Sequence, residues 1–388
     1  MAAQNPPLHV IVLGAGIIGL QTAVFLLEAG YKVTVVAKNL PGDVDLEYTS
    51  PRAGAHWRTQ ATANEIELAQ WDRETYEYWL SVVAREEASR RDGFGVGDSG
   101  LKVCVHYKPE AEGWSLTAAA LPRILLLVKT HTSGFGGRGL MPKPPRDGPN
   151  PEISQGAQSI WWRNVVLNFK VLDPSVLPEG VYFGVTYSSF CINPPTYLSH
   201  LVRQIETAGG TIHRLEIPTK GGLGAAMAAV TDAVSSEPPF AIVNATGLGA
   251  MALGDKNMFP TKGQTILVSN ESPVIRIRIG DGDPRVDPEL SQEIVERCKE
   301  LAPDILNPDG EFEIVSEQVG FRPSRSGGPR VELEGVLSAR GEKPLIVVHC
   351  YGHSGAGYQS SVGSAKKVLR LLEEQKMQGT AEIRERVG

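Results

Sequence analysis

Apolar residues recur with two different periods along the chain, and the changes of period mark its elements. An unbroken apolar run from Leu8 to Leu13 predicts a strand buried on both faces. Ile18, Ala23, Leu26 and Leu27 then recur at helical spacing, which predicts a helix from Ile17 to Ala29. Gly30 closes that helix, and YKVTVVA predicts a second strand. EIELAQWDRETYEYWLSVVAREE predicts a long helix carrying Trp71, Tyr78 and Trp79. From about Gly113 to Gln158 glycine and proline dominate and no period is visible, so a long surface loop or a disordered insert is expected there. Structure resumes at SIWWRNVVLNFKVL. TYLSHLVRQIETAGG follows as a helix, TIHRLEIP as a strand, and FAIVNATGLGA as a buried strand entering a glycine turn. QTILVS and VIRIRI predict strands, and PELSQEIVERCKEL a helix. The chain closes on the strand PLIVVHC, the glycine-rich turn YGHSGAGYQSS and the helix SAKKVLRLLEEQK. Strand–helix units at both ends enclose material of another character, which implies a discontinuous nucleotide-binding domain with a second domain inserted.

Bulk properties narrow the class. The 388 residues suit two domains, and 41% hydrophobic with 21% charged residues is ordinary for a soluble globular chain. A net charge of −6 argues against a nucleic-acid partner. No apolar run approaches the roughly 18 residues of a membrane span. MAAQNPPLHV lacks the basic and apolar regions of a secretory signal. Cys104, Cys191, Cys298 and Cys350 have no paired spacing and read as reduced thiols. An intracellular chain is expected, cytoplasmic or peroxisomal, although the terminal RERVG is not an SKL-type address. No metal site is expected, and a homodimer is the assembly carried as an expectation.

The glycine turns hold the candidate chemistry. Gly14 permits a sharp turn, Gly16 lets backbone approach a pyrophosphate, and Gly19 lets the helix pack against the strand. The helix start then offers free N–H groups and a positive dipole end to phosphates. Where an acidic ribose partner is usual, the sequence has Ala37, Lys38 and Asn39. Asn39 can bond a hydroxyl, while Lys38 can meet a phosphate and keeps an NADP reading open. The last turn favours a flavin. A second helix N-terminus aimed at the flavin's pyrimidine edge stabilises the negative charge that reduction places there.

At this point the sequence resembles the D-amino acid oxidase and D-aspartate oxidase family in its fungal form. The resemblance is carried by VLGAGIIGL, TSPRAGAHW, QWDRETYEYW, FGVTYSSFCINPPTYL, NATGLGA, KGQTILV, VGFRPSRSGGPRVE and VVHCYGHSGAGYQSSVGSA. It implies an α/β fold: a Rossmann-like FAD-binding domain (1–50, 192–255 and 335–388) with an inserted α+β substrate domain (51–191 and 256–334) built on a mostly antiparallel sheet. The Gly/Pro-rich insert at about 114–156 has no family counterpart. The resemblance also implies FAD, a D-amino acid substrate, molecular oxygen as acceptor, and 2-oxo acid, ammonia and hydrogen peroxide as products. Arg322 in GFRP is then the carboxylate clamp, and the Gly355 carbonyl faces the substrate amine. Gly14, Ala15, Gly16, Ile17, Ile18, Gly19, Lys38 and Asn39 are the first cofactor segment. Ser50, Ala53, Gly54, Ala55 and His56 are the second, with His56 also on the substrate side. Ile217 serves the adenine side through its main chain, and Gly247 permits close approach. His353, Ser354, Gly355, Gly357, Tyr358 and Gln359 form the flavin-contacting turn. The implied mechanism needs no protein base: with its amine neutral, the substrate passes the Cα hydride to a flavin ring nitrogen, and the protein positions the two.

Two departures from the family pattern qualify this. The segment after KGQTILV is short, and no tyrosine lies between Tyr197 and Tyr351. A tyrosine-bearing hairpin that serves the substrate is therefore expected to be missing, leaving an open pocket and weak activity or none. Val274 to Ile279 stands in its place, with Arg276 and Arg278 on one face. Acidic D-amino acids, D-aspartate especially, are the alternative substrates, with Arg58, Arg276, Arg278 and His56 as candidate readers of a second carboxylate. Arg325 and Arg330 fit surface ion pairing.

Overall fold

A computed structural model describes residues 6–91, 99, 101–102, 123–129, 158, 160–171, 173, 175, 181–269, 291–292, 295–296, 299, 306–336 and 345–387. Its centre is a six-stranded sheet in the order β12-β13-β9-β1-β2-β8. The strands are β1 (His9–Leu13), β2 (Lys32–Ala37), β8 (Thr211–Arg214), β9 (Ala241–Asn244), β12 (Arg330–Val336) and β13 (Leu345–Tyr351). All neighbours run parallel except β12, which pairs antiparallel with β13 at the edge. The central strand shows why an unbroken apolar run is needed. Val10 and Val12 enter one core cluster, and Ile11 and Leu13 enter the cluster on the opposite face.

Helix α1 (Ile17–Glu28) is buried over almost its whole surface, packed against α3 (Pro194–Thr207) and α6 (Ser361–Val387). Helix α2 (Ile66–Arg91) lies against α6, and Gly363 permits this contact: a Cβ there would fall 2.1 Å from the Trp71 Cα. Helix α4 (Gly222–Val234) covers the other face through Ala226, Met227 and Val230. α5 (Gly249–Ala252) is a single turn after β9.

The remaining sheets are antiparallel. β10 (Met258–Val268) pairs with β11 (Ile314–Arg325) in a long ladder that sets Thr261 opposite Arg322. β3 (Leu101–Lys102) pairs with β7 (Cys191–Ile192). β6 (Val181–Ser188) lies between β4 (Arg123–Lys129) and β5 (Lys170–Val171). Among the described residues no helix is long and apolar enough to cross a membrane.

Three expectations change. The insert is not structureless throughout, because Arg123–Lys129 inside it forms β4; its apolar run RILLLVK has strand character that the surrounding glycines and prolines obscure. The boundary drawn between residues 334 and 335 falls inside β12, which pairs with β13 along its full length. Helix α4 was not expected, since its small residues and two glycines give a weak period. The strand expected at Val274 to Ile279, with Arg276 and Arg278, lies outside the described residues, as does most of the insert.

Candidate active site

The first glycine turn is fixed by backbone contacts that leave no room for a side chain. Gly14 has φ +106°, donates its N–H to Val36 O at 2.8 Å, and would place a Cβ 2.4 Å from Ala245 O. A Cβ on Gly19 would lie 1.9 Å from Gly14 O. Helix α1 therefore starts pressed onto the turn, capped by Gly16 in extended conformation, with no acidic residue in its first turn. Ile17 N–H donates to Ser50 Oγ at 3.0 Å. Helix geometry leaves the next amides, of Ile18 and Gly19, without an intrahelical acceptor at the positive end of the dipole. The Ser50 hydroxyl keeps its own proton for a further acceptor.

Segments far apart in sequence converge on this turn. Tyr48 OH donates to Ala15 O at 2.7 Å, and Tyr358 OH donates to Ser50 O at 3.0 Å. Thr49 Oγ1 donates to Phe321 O at 2.5 Å, and Arg52 Nη1 donates to Val319 O at 2.6 Å. A second Arg52 nitrogen donates to Val44 O. The 3-10 turn Ser50–Arg52 thus clamps the start of α1 to β11 on either side of Gly320. β11 carries Arg322, whose side chain extends between two glycines. A Cβ at Gly263 would lie 3.3 Å from its Nη2, and a Cβ at Gly355 would lie 3.6 Å from its Cδ. Arg322 is half-buried and has no hydrogen bond or ion pair among the described residues. Gly247, at φ +57°, sits against the adjacent Pro323.

The second glycine turn follows β13. Ser354–Ala356 forms a 3-10 turn leading through Gly357 and Tyr358 to α6. Ser354 and Ala55 both hold positive φ without being glycine, at +51° and +32°, the kind of strain that collects at functional sites. Ser324 Oγ lies 2.9 Å from Ser354 Oγ and 2.8 Å from Thr261 Oγ1, which joins this turn to β10 and β11. His353 bonds Ser364 Oγ through Nε2 at 2.8 Å, while its buried Nδ1 has no partner. Burial pushes its pKa down to about 4, so the ring is neutral. His56 also has a buried, unpartnered Nε2; burial and the Arg58 charge push its pKa down to about 4. Gln359 and Ser360 both donate to the Asp72 carboxylate.

The structure therefore brings together Gly14, Ala15, Gly16, Ile17, Ile18, Gly19, Ser50, Gly247, Arg322, Gly355, Tyr358 and Gln359. Lys38 and Asn39 directly follow β2, whose Val36 carbonyl accepts from the Gly14 N–H. Lys38 is 3.2 Å from Glu216, and both side chains are largely exposed. Ile217 packs at the edge of the core under α4, and Gly54 is exposed. Arg325 and Arg330 both form ion pairs: that of Arg330 with Glu332 is at the surface, while that of Arg325 with Asp255 is largely shielded. Arg325 meets the buried Asp255 at 2.8 Å, and Arg330 bonds Glu332, Glu334 and Tyr351. Sequence reasoning missed Tyr48, Arg52 and Asp72, whose partners are remote in the chain.

A dinucleotide cofactor fits this arrangement. The three glycines leave backbone bare at the start of α1, two helix N-termini converge, and His353 Nδ1 waits for a partner beside the second. Fold and site define a dinucleotide-dependent oxidoreductase. A family profile described as "DAO: FAD dependent oxidoreductase" matches residues 9–371. D-amino-acid oxidase of Fusarium vanettenii is 30% identical, over 94% of this chain and 96% of its own. D-aspartate oxidase of Cryptococcus neoformans var. grubii is 26% identical, over 95% and 98%. The crystal structure of iminodiacetate oxidase from Chelativorans sp. BNC1 shares the fold, with a TM-score of 0.60 at 16% identity over 94% of this chain and 95% of that one. The chain belongs to the FAD-dependent oxidoreductase family of the D-amino-acid oxidases, and FAD is its cofactor.

Proposed function

We infer that this chain oxidatively deaminates D-amino acids, giving 2-oxo acid, ammonia and hydrogen peroxide from substrate, water and molecular oxygen. The observation that carries the reading is the unpartnered Arg322 guanidinium between Gly263 and Gly355. A half-buried cation without an anion is unfavourable, and a planar fork suits a carboxylate bidentately. Arg322 would hold the substrate carboxylate, and the Gly355 carbonyl would accept from the amine. These two anchors orient the Cα–H bond, so the protein's contribution is position rather than proton transfer. FAD, when bound, supplies the two-electron acceptor that oxygen regenerates. The Ile18 and Gly19 amides and the Ser50 hydroxyl would meet its phosphates. Ala55, His353, Ser354, Gly357, Tyr358 and Gln359 would line its ring system. The test is stoichiometry: a D-amino acid should consume oxygen and release hydrogen peroxide, ammonia and 2-oxo acid in equal amounts. Turnover without peroxide would overturn the oxidase reading.

FAD should be held without a covalent bond, because the glycine turns already supply the helix ends it needs. Acid precipitation is expected to leave free FAD in the supernatant; flavin retained in the pellet would contradict this.

One observation favours acidic substrates as the preferred class. His56 forms an isolated antiparallel bridge with Cys191, flanked by Trp57 N–H donating to Phe190 O at 2.9 Å and Ile192 N–H to Ala55 O at 2.8 Å. Ala55, Trp57 and Thr59 are buried on one face, and His56 and Arg58 share the other, half-buried. Arg58 has no hydrogen bond or ion pair among the described residues. Arg58→Ala should raise KM for D-aspartate about tenfold or more relative to D-alanine, the loss of one charged contact of about 1.5–3 kcal/mol. Equal changes for both substrates would remove Arg58 from side-chain recognition.

A further inference from the structure

The charged group buried most completely beside the site is one the mechanism above does not use. Asp72 on α2 is 1% exposed and has no cation partner among the described residues. Its Oδ2 accepts from Gln359 Nε2 at 3.1 Å and its Oδ1 from Ser360 Oγ at 2.6 Å. The Thr59 hydroxyl donates to the same carboxylate. The Asp72 backbone carbonyl accepts from Trp57 Nε1 at 2.8 Å. Asp72 thus ties the Ala55–Thr59 segment to the turn that opens α6. Burying a carboxylate on neutral donors alone is costly, so its presence calls for a reason beyond packing.

We propose that Asp72 is a positioning residue for FAD: as an acceptor-only group it fixes which way round the Gln359 amide stands at the second glycine turn. An ionised carboxylate accepts and never donates, so it selects the Gln359 NH2 group. The Gln359 carbonyl oxygen is then left to face away from Asp72, free to accept from an N–H donor. A flavin pyrimidine ring carries such a donor. Protonation turns one Asp72 oxygen into a donor, which lets the amide turn over and present the wrong group. This rests on the reading that the turn from His353 to Gln359 holds the flavin.

The surroundings make the switch between the two states accessible. Burial, with a smaller push from the Glu65 carboxylate, moves the Asp72 pKa up to about 7, against the pull of its three donors. His353 on the same turn is neutral. Lys367 of α6 is engaged by Glu67 at 2.5 Å, and Arg370 faces Glu74, so neither of these two cations neutralises Asp72. A carboxyl raised above its ordinary pKa of about 4 favours the folded state while protonated and disfavours it once ionised. Apoprotein stability should therefore fall as pH rises from about 4 through about 7, while FAD binding strengthens over the upper part of that range.

The test is the FAD dissociation constant of the apoprotein, measured across pH alongside its melting temperature. Wild-type affinity should weaken as pH falls through about 7. At alkaline pH, Asp72→Asn should bind FAD about 10- to 100-fold more weakly, with no pH dependence. Its apoprotein should melt at or above the wild-type temperature. Gln359→Ala should weaken FAD similarly, and adding Asp72→Asn to it should cost little more. Wild-type affinity in Asp72→Asn, with Gln359→Ala weakened, would overturn this role while leaving the reading of the turn intact. Wild-type affinity in Gln359→Ala would overturn both. A lower melting point in Asp72→Asn, matching its loss of affinity, would make Asp72 merely structural. If the variants do not fold, a flat wild-type affinity between about pH 5.5 and about pH 8.5 would overturn the proposal.

Discussion

Arg322→Ala is expected to give a folded, yellow protein whose kcat/KM toward D-amino acids falls roughly 200- to 5,000-fold, the loss of a charged pair of about 3–5 kcal/mol. The prediction separates binding from folding because of how the residue is held. The β10–β11 ladder at Thr261 and Arg322 is made by backbone, and the guanidinium bonds nothing among the described residues. Removing it empties space between Gly263 and Gly355 without breaking a protein hydrogen bond. The FAD spectrum should be unchanged. Arg322→Lys should recover a minor part of the activity, since a point charge replaces a fork. Steady-state kinetics with flavin content measured on the same samples checks this. Near wild-type kinetics in the alanine variant would take Arg322 out of the site.

Gly19→Val should abolish FAD binding and with it all activity. A Cβ at this position would stand 1.9 Å from Gly14 O, which is backbone and is itself held at φ +106° between Val36 and Ala245. Helix α1 must move away from β1, and overpacking of this kind costs about 1–3 kcal/mol or more. The displacement also withdraws the Ile18 and Gly19 amides and breaks the bond from Ile17 N–H to Ser50. Purified variant should be colourless or insoluble. A yellow, active Gly19→Val protein would show that α1 does not need this approach.

The parts of the fold that were legible in sequence are those whose cause is local. β1, α1 and β2 are each specified by a continuous apolar run or a helical period, broken by glycines whose positive φ or bare approach the structure uses directly. The turn before α6 was legible for the same reason. What was missed depends on distant partners. The Asp72 bond to Ser360 spans 288 positions, and the Arg52 bond to Val319 spans 267. Both residues stand inside motifs that were read, SPRAGAH and QWDRE, but no local pattern separates a buried tether from a surface charge. β12 was placed on the wrong side of a boundary because VELEGV alternates like a half-buried strand, and only its pairing with β13 decides the sheet. The local sequence predicts surface ion pairing for Arg325 because Asp255, its shielded partner, lies 70 positions away.

If Arg322 holds D-amino acids against bound FAD, the flavin itself must take their electrons. Anaerobic addition of paired D- and L-amino acids to the holoprotein, followed through the flavin's visible absorption, tests it most directly. D-enantiomers, D-aspartate among them, should bleach the flavin, L-enantiomers should leave it yellow, and oxygen should restore the colour. A flavin that no D-amino acid bleaches, or that L-amino acids bleach faster, would show that Arg322 does not present D-amino acids to the FAD.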